Sequence, residues 1–308
     1  MSIRLLVALL CLGLAACVSG PTEVAGKRPP VSPRSPSKQT ALPVEVADRK
    51  VAFMVGNRLF VARADGRERA LVARVPHAYS GPYWSTSAQH FLVRAESKKG
   101  GYIYVVSRDG STVTNVSKAA GSRYDAMASW SPDGRYIVFS SRPPNENVAQ
   151  IYVMDSDGSD VRQLTHGDFE AQYPAWSPDG TRIAFTGYDG NFEIYAMSSD
   201  GTELARLTKT MDQENWPTWS PDSREIAFYS DGVDGAGIWV MEADGSNRRR
   251  VTDPEVSSSA GEPNWSPSGP WIAFNCAIPP PSKICAIRSD GSGYVELFSH
   301  AGFPFWMD

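Results

Sequence analysis

Trp84, Trp130, Trp176, Trp219, Trp265 and Trp306 recur at intervals of 46, 46, 43, 46 and 41 residues in a chain of 308. The best copies of the surrounding motif read Trp130-Ser131-Pro132-Asp133-Gly134 and Trp176-Ser177-Pro178-Asp179-Gly180. Weaker copies start at Trp219 and Trp265, and Trp84-Ser85 is a bare remnant. A period in the low forties with about four strand signals per repeat predicts a β-propeller.

One unit shows why. Pro174-Ala175-Trp176 is a short extended run, and Ser177-Pro178-Asp179-Gly180 is a turn, since proline presets φ, aspartate can bond its own backbone and glycine accepts positive φ. Arg182–Phe185 and Glu193–Met197 are two further strands separated by the turn Tyr188–Asn191. Asp200-Gly201 is a hairpin signal, and a fourth strand begins at Leu204. The unit is one antiparallel blade of four strands.

A second marker counts the same blades. Asp-Gly pairs stand at Asp65, Asp109, Asp157, Asp200, Asp244 and Asp290, six pairs for six tryptophans, but the two series are offset. The first Asp-Gly precedes the first Trp of the repeat, and no strands follow Trp306. Strands at Val51–Met54, Arg58–Val61 and Ala70–Val72 are the three that the Trp306 unit lacks. The expected fold is therefore all-β, a six-bladed propeller of four-stranded antiparallel blades, closed by pairing N- and C-terminal strands. That closure removes open sheet edges. A tryptophan repeated at one position in every blade is expected to pack between blades. Trp216 lies outside the pattern and is the candidate functional aromatic.

Three domains are expected. Residues 1–17 read as a lipoprotein signal peptide: Arg4, an apolar run from Leu5 to Leu14 too short to span a bilayer, then Leu14-Ala15-Ala16-Cys17, with Cys17 as the lipidation site. Val18 follows, rather than the aspartate that would retain the protein at the inner membrane, and resemblance to bacterial lipoproteins implies an outer-membrane location, lipid-anchored and facing the periplasm. Residues 18–47, with six prolines, read as a disordered tether spanning roughly 30 Å on average. Residues 48–308 form the propeller. Setting aside Arg4, Lys27, Arg28, Arg34, Lys38, Glu23 and Glu45, the propeller keeps 25 of the 30 basic and 32 of the 34 acidic residues, a net charge of −7. That balance disfavours nucleic acid, whose phosphates need a basic face. Of four cysteines, Cys11 belongs to the signal and Cys17 to the lipid. Cys276 and Cys285 flank a proline-filled loop and are expected to form a cross-strand disulfide in an oxidising compartment.

The chain carries no nucleophile elbow, no His-Glu-x-x-His, no glycine-rich phosphate loop and no Cys/His metal spacing. His77, His166 and His300 each precede a Trp strand, while His90 does not; all four are expected to be solvated, with no metal. Asp155–Asp160 resembles a calcium loop but lacks its distal glutamate and coincides with the repeating Asp-Gly turn. No cofactor is expected. The segments leading into the Trp strands vary between units and carry Tyr124, Asp125, Glu170, Gln172, Glu214, Asn215, Trp216 and Glu262, the expected binding rim. Variation on a repeated scaffold is where specificity can be placed without disturbing packing.

The combination Trp-Ser-Pro-Asp-Gly, Ile-Ala-Phe, Ile-Tyr-Val-Met, Asp-Gly and Leu-Thr, clearest over Trp130–Thr165 and Trp176–Thr208, resembles the TolB propeller family. The resemblance extends over 51–308. It implies a non-catalytic periplasmic propeller that binds envelope proteins or peptides, with a Pal-like lipoprotein as partner in a Tol–Pal-like role. The chain departs from the family by lacking an N-terminal α/β domain and by its lipobox. Similar repeats occur in prolyl peptidases, but no hydrolase domain follows Trp306. The alternative is a carbohydrate-active or metal-dependent enzyme, a lyase or hydrolase working at the channel mouth. A monomer is expected, touching the membrane through its lipid alone.

Overall fold

The computed structural model describes residues 44–97, 100–117, 124–143, 146–232, 235–254, 261–277, 283–299 and 302–307. The expected signal peptide, its lipidation site Cys17, and most of the tether lie outside them. A helical turn, Val44–Ala47, opens the described chain. Its Val46 is fully buried against Val51 and Trp306, so the folded body begins before residue 48, inside the segment read as tether.

Six antiparallel blades come next. Blade 1 joins the chain ends: β24 (Gly302–Met307) pairs with β1 (Lys50–Val55), which pairs with β2 (Arg58–Arg63) and then β3 (Ala70–Arg74). Its closing register sets Val51 opposite Trp306 and Ala52 opposite Phe305. Blade 2 is β4 (Ala78–Ser85), β5 (His90–Ser97), β6 (Gly100–Ser107) and β7 (Val113–Asn115). Blade 3 is β8 (Tyr124–Trp130), β9 (Tyr136–Arg142), β10 (Gln150–Asp155) and β11 (Arg162–Gln163). Blade 4 is β12 (Glu170–Trp176), β13 (Arg182–Tyr188), β14 (Phe192–Ser198) and β15 (Ala205–Arg206). Blade 5 is β16 (Gln213–Trp219), β17 (Glu225–Asp231), β18 (Gly237–Glu242) and β19 (Arg249–Arg250). Blade 6 is β20 (Gly261–Trp265), β21 (Trp271–Ala277), β22 (Lys283–Arg288) and β23 (Val295–Ser299).

The repeated tryptophans pack between blades. Trp130 of blade 3 lies with Leu92 and Ile103 of blade 2, Trp219 with Ala184 and Ile194 of blade 4, and Trp265 with Ala227 and Ile238 of blade 5. Trp306 packs on Trp271, Ala273 and Ala286 of blade 6, so it closes the ring by the same contact that joins the other blades.

The motif residues have separable jobs. Ser131 Oγ donates to Asp133 Oδ1 (2.6 Å) and accepts from the Tyr136 amide (2.9 Å), while Asp133 accepts from the Arg135 amide (3.0 Å). The serine and aspartate thus satisfy the turn's backbone donors, and the bond from Ser131 helps hold the Asp133 carboxyl below the usual range. The same network recurs at Ser177–Asp179 and Ser220–Asp222. At the hairpins, Asp157 Oδ1 accepts from the Ser159 amide (2.9 Å) and hydroxyl (2.6 Å). That spends the carboxylate of the calcium-like loop on its own turn. Gly158 has φ 91°, and a Cβ there would collide with the Val116 carbonyl of blade 2. Glycine is therefore required by both turn conformation and blade contact. The Leu-Thr element also has a role. Thr165, Thr208 and Thr252 hydroxyls accept from the amides of Ile151, Ile194 and Ile238 at 2.8–3.0 Å, capping donors where the short outer strands end.

Candidate functional site

Each inner strand is the edge of its blade and faces the central channel, and each carries an irregularity at the same place. Ladder register shifts between Ser80 and Tyr83, Ala126 and Ala128, Gln172 and Ala175, Asn215 and Thr218, and Gly261 and Asn264. In blades 2 to 6 the residue three before the Trp sits in the left-handed region: Gly81 (φ 99°), Met127 (44°), Tyr173 (55°), Trp216 (56°) and Glu262 (51°). A proline follows at Pro82, Pro174, Pro217 and Pro263, tolerated because an edge strand has no partner on the channel side. A non-glycine residue held there costs on the order of 1–3 kcal/mol, and such outliers cluster at functional sites.

These bulges line one end of a cavity of about 360 Å³, built by the inner strands of all six blades. The cavity runs from the bulge residues to the Trp-Ser-Pro turns, where Pro132, Pro178, Pro221 and Pro267 edge it. Its wall is aromatic. Tyr173 meets Trp216 edge-on at 5.6 Å between ring centres, Trp216 meets Tyr229 at 5.2 Å, and Tyr83 meets Phe305 edge-on at 5.6 Å. The Tyr83 hydroxyl lies 3.8 Å from Met127 Sδ. The lining contains no lysine, arginine, histidine or aspartate among the described residues, and Glu262 is its single carboxyl.

Glu262 is enclosed by protein apart from the cavity. Asn275 Nδ2 donates to its Oε2 at 3.0 Å. Burial pushes its carboxyl up to about 8, against the smaller opposing pulls of that hydrogen bond and of the Arg94 charge. At neutral pH it therefore holds its proton. Burial also raises the phenols of Tyr83 and Tyr173, and the nearby Glu262 carboxyl adds to both shifts. The Trp216 indole N–H is buried without a satisfactory hydrogen-bond partner, although it lies toward the Tyr173 hydroxyl.

The expected rim residues separate into groups. Trp216 and Glu262 line the cavity. Glu214 does not meet solvent at all: it is 0% exposed, takes Arg248 Nη2 at 2.7 Å and the Thr210 hydroxyl at 3.2 Å, and lies near buried Glu193. Burial pushes its carboxyl up to about 7 despite the arginine. The expectation that Glu214 is a surface contact is thus corrected: it stands before the bulge at Trp216, and its side chain lies in the seam between blades 4 and 5. Glu170 is ion-paired with Arg142 and accepts from Gln172, and Asn215 stands opposite Tyr229 in the ladder; none of the three lines the cavity. Tyr124 and Asp125 begin β8, with side chains outside the described residues. The cavity therefore opens toward the turns, on the face opposite the loops that carry most of the expected rim. Tyr83, Met127, Tyr173 and Phe305 were not among the expected residues. The signal for Tyr83, Tyr173 and Phe305 is the x-Pro-x-Trp spacing, since proline in a strand marks an edge or bulge; Met127, followed by Ala128, carries no such signal.

His77 and His166 are exposed, and His300 lies outside the described residues. Among the described residues no three His, Cys, Asp or Glu side chains form a metal-binding group, and no helix is long and apolar enough to cross a membrane. Cys276 and Cys285 are joined in blade 6 with Cα atoms 5.8 Å apart, Cys285 fully buried beside the Tyr294 hydroxyl at 3.0 Å.

The sequence profile of the TolB beta propeller domain matches residues 49–186 and 166–300. An uncharacterized protein of Agrobacterium fabrum is 30% identical over 243 residues, 78% of this chain and 65% of its own length. The Tol-Pal system protein TolB of a Ruegeria species is 34% identical over 61 residues, 20% of this chain and 14% of that one. The chain spans less than two thirds of the length of these curated relatives. Among solved structures, a putative TolB from Agrobacterium tumefaciens superposes with a TM-score of 0.68 at 25% identity, covering 82% of this chain and 88% of its own. TolB from Acinetobacter baumannii gives 0.71 at 22% identity, covering 85% and 67%. A puromycin hydrolase shares the propeller fold at 0.55 and 14% identity, over 80% of this chain and 42% of that one.

Proposed function

Because the chain belongs to the TolB beta-propeller family, we propose that it is a non-catalytic envelope propeller that receives an extended segment of a partner protein in its central cavity. The observation that carries this reading is the cavity itself: aromatic and proline walls with one carboxyl, on a ring of left-handed bulges contributed by five blades. Such a surface suits burial of an apolar or aromatic peptide anchor. The enzyme alternative has less support, since no histidine or carboxylate pair lines the cavity among the described residues. Lipidation at Cys17 and the proline-rich tether would hold the propeller near the outer membrane, within reach of periplasmic partners. The likeness to a protein named for the Tol-Pal system makes a Pal-like lipoprotein the first partner to test.

The test places a photo-crosslinking residue at Ser87 or Pro178, both exposed at the cavity mouth, and at Asp168 on the loop face. Partners trapped in cells are identified and then reconstituted from purified components. Crosslinks at the mouth and not at Asp168 are expected. Crosslinks confined to Asp168, or a purified partner that fails to bind, overturn the reading.

A further inference from the structure

We propose that the bulge end of the cavity recognises a primary alkylammonium group, with Glu262 as its counter-ion and the rings of Tyr83, Tyr173, Trp216 and Phe305 as its walls. This rests on the reading of the cavity as a peptide-receiving site, and it names a lysine side chain as the group received.

Three observations converge. First, the lining can supply charge of only one sign. Glu262 is its single carboxyl and no cationic side chain lines it among the described residues, so a bound cation can acquire a counter-ion by deprotonating Glu262, whereas an anion meets no positive charge. Second, the carboxyl is half engaged: Asn275 bonds Oε2, while no protein donor to Oε1 appears among the described hydrogen bonds. Third, two perpendicular aromatic pairs, Tyr173–Trp216 and Tyr83–Phe305, bring π faces and edges to the same small volume. Aromatic faces attract ammonium groups electrostatically, and more strongly where water is excluded. The apolar walls also suit the methylene stem that a lysine carries behind its charge.

Arg94 on β5 is the cation whose field reaches Glu262. It does not line the cavity; it is paired with Glu96 at 3.3 Å and stacked on Tyr79 at 4.6 Å. Tyr83 and Tyr173 are the titratable neighbours, and both remain neutral near physiological pH because burial raises them. Entry of the ammonium therefore expels the Glu262 proton to water, leaving an ion pair and one proton released per ligand bound. Binding should then tighten as pH rises, about tenfold per unit while Glu262 is protonated in the free protein.

Isothermal titration of the folded protein with Nα-acetyl-lysine methylamide, its Nε-acetylated counterpart and 1,5-diaminopentane tests this at several pH values. The charged lysine derivative should bind at least tenfold more tightly than the acetylated one, and more tightly at higher pH. Glu262→Gln should lose tenfold or more with an unchanged or higher melting temperature. Trp216→Phe, which keeps a π face, should stay within about threefold, as the weak worth of a single ring contact allows. Equal binding of the charged and acetylated probes, or no loss in Glu262→Gln, overturns the proposal; so does binding that weakens with pH, the signature of a protonated Glu262 donating to a ligand carboxylate. If diaminopentane binds and the lysine derivative does not, the ammonium site stands but its ligand is a free diamine. If no probe binds while the crosslinks at the mouth persist, the ammonium site falls and peptide reception stands.

Discussion

Ring closure makes a quantitative claim about Trp306. Its side chain is 0% exposed, packed on Val46, Val51, Trp271, Ala273 and Ala286, and its strand is the inner edge of a blade otherwise built from the N-terminal strands. Burying an indole removes roughly 200 Å² from water, worth about 5 kcal/mol at 25 cal/mol per Å². Its Nε1–H is buried without a partner, and that desolvation subtracts about 1–3 kcal/mol. Trp306→Ala should therefore cost about 2–4 kcal/mol, overlapping the range for large aromatic truncations. For a domain of this size each kcal/mol moves the melting temperature by about 2–4 °C, so a fall of roughly 4–16 °C is expected by circular dichroism or calorimetry. Trp306→Phe keeps much of the apolar contact and removes the unpaired donor, so its cost should be about 1 kcal/mol or less. A fall of less than about 2 °C for the alanine variant would refute closure through this residue.

Gly158→Ala combines positive φ with a collision against the Val116 carbonyl, and should cost more than the roughly 1 kcal/mol of a simple conformational penalty; an unchanged melting curve would contradict the blade contact. Reducing the Cys276–Cys285 bridge should destabilise by about 2–3 kcal/mol on the chain-entropy account, read as a melting shift with and without reductant alongside a thiol count in denaturant. Cys17→Ser should move the protein from outer membranes to the soluble periplasmic fraction, and continued co-fractionation with membranes would rule out the lipid anchor. Burial raises Glu214 to about 7 and Glu262 to about 8, so the folded state binds more protons than the unfolded one above about pH 4.5, and stability should fall by up to roughly 1.4 kcal/mol per unit per group until each titrates. Melting temperatures measured from about pH 5 to pH 9 should flatten in Glu214→Gln and Glu262→Gln; parallel slopes in all three proteins would show that these carboxyls are not the cause.

Most of the fold is legible in the repeats, because each repeated residue answers a local demand that recurs in every blade. The tryptophan fills the gap between blades, the serine and aspartate satisfy turn amides, and the glycine of the Asp-Gly hairpin accepts a left-handed backbone, with no room for a Cβ at Gly158. Closure was legible too, since the offset of the Asp-Gly and Trp series leaves three strands at one end and one at the other. The site was harder to read. Glu214 and Trp216 are two residues apart in one strand, yet the first is sealed between blades and the second faces the channel. Alternation alone would put them on the same side. The bulge at Trp216 inserts an extra residue and reverses the facing of the side chains after it. Nothing in composition announces a bulge; only the proline after Tyr173, Trp216 and Glu262 hints at one.

The same bulge separates the constant from the variable part of the molecule. One residue before each Trp, the chain presents Tyr83, Ser129, Ala175, Thr218, Asn264 and Phe305; three before, it presents Gly81, Met127, Tyr173, Trp216 and Glu262. The two positions compensate. Tyr83 accompanies Gly81, while Tyr173 and Trp216 accompany Ala175 and Thr218, so blades 2, 4 and 5 each fill their share of the channel with one large side chain rather than two. A ring of six identical blades would yield a symmetric pore, and a symmetric pore cannot hold an asymmetric ligand in one orientation. Placing bulk at one or the other of these two positions in different blades, with a carboxyl in blade 6 alone among the described bulges, breaks that symmetry while the repeated tryptophans keep their packing between blades. The tryptophans, turns and hairpins can then be preserved for stability while the bulge and its neighbour set what the channel accepts.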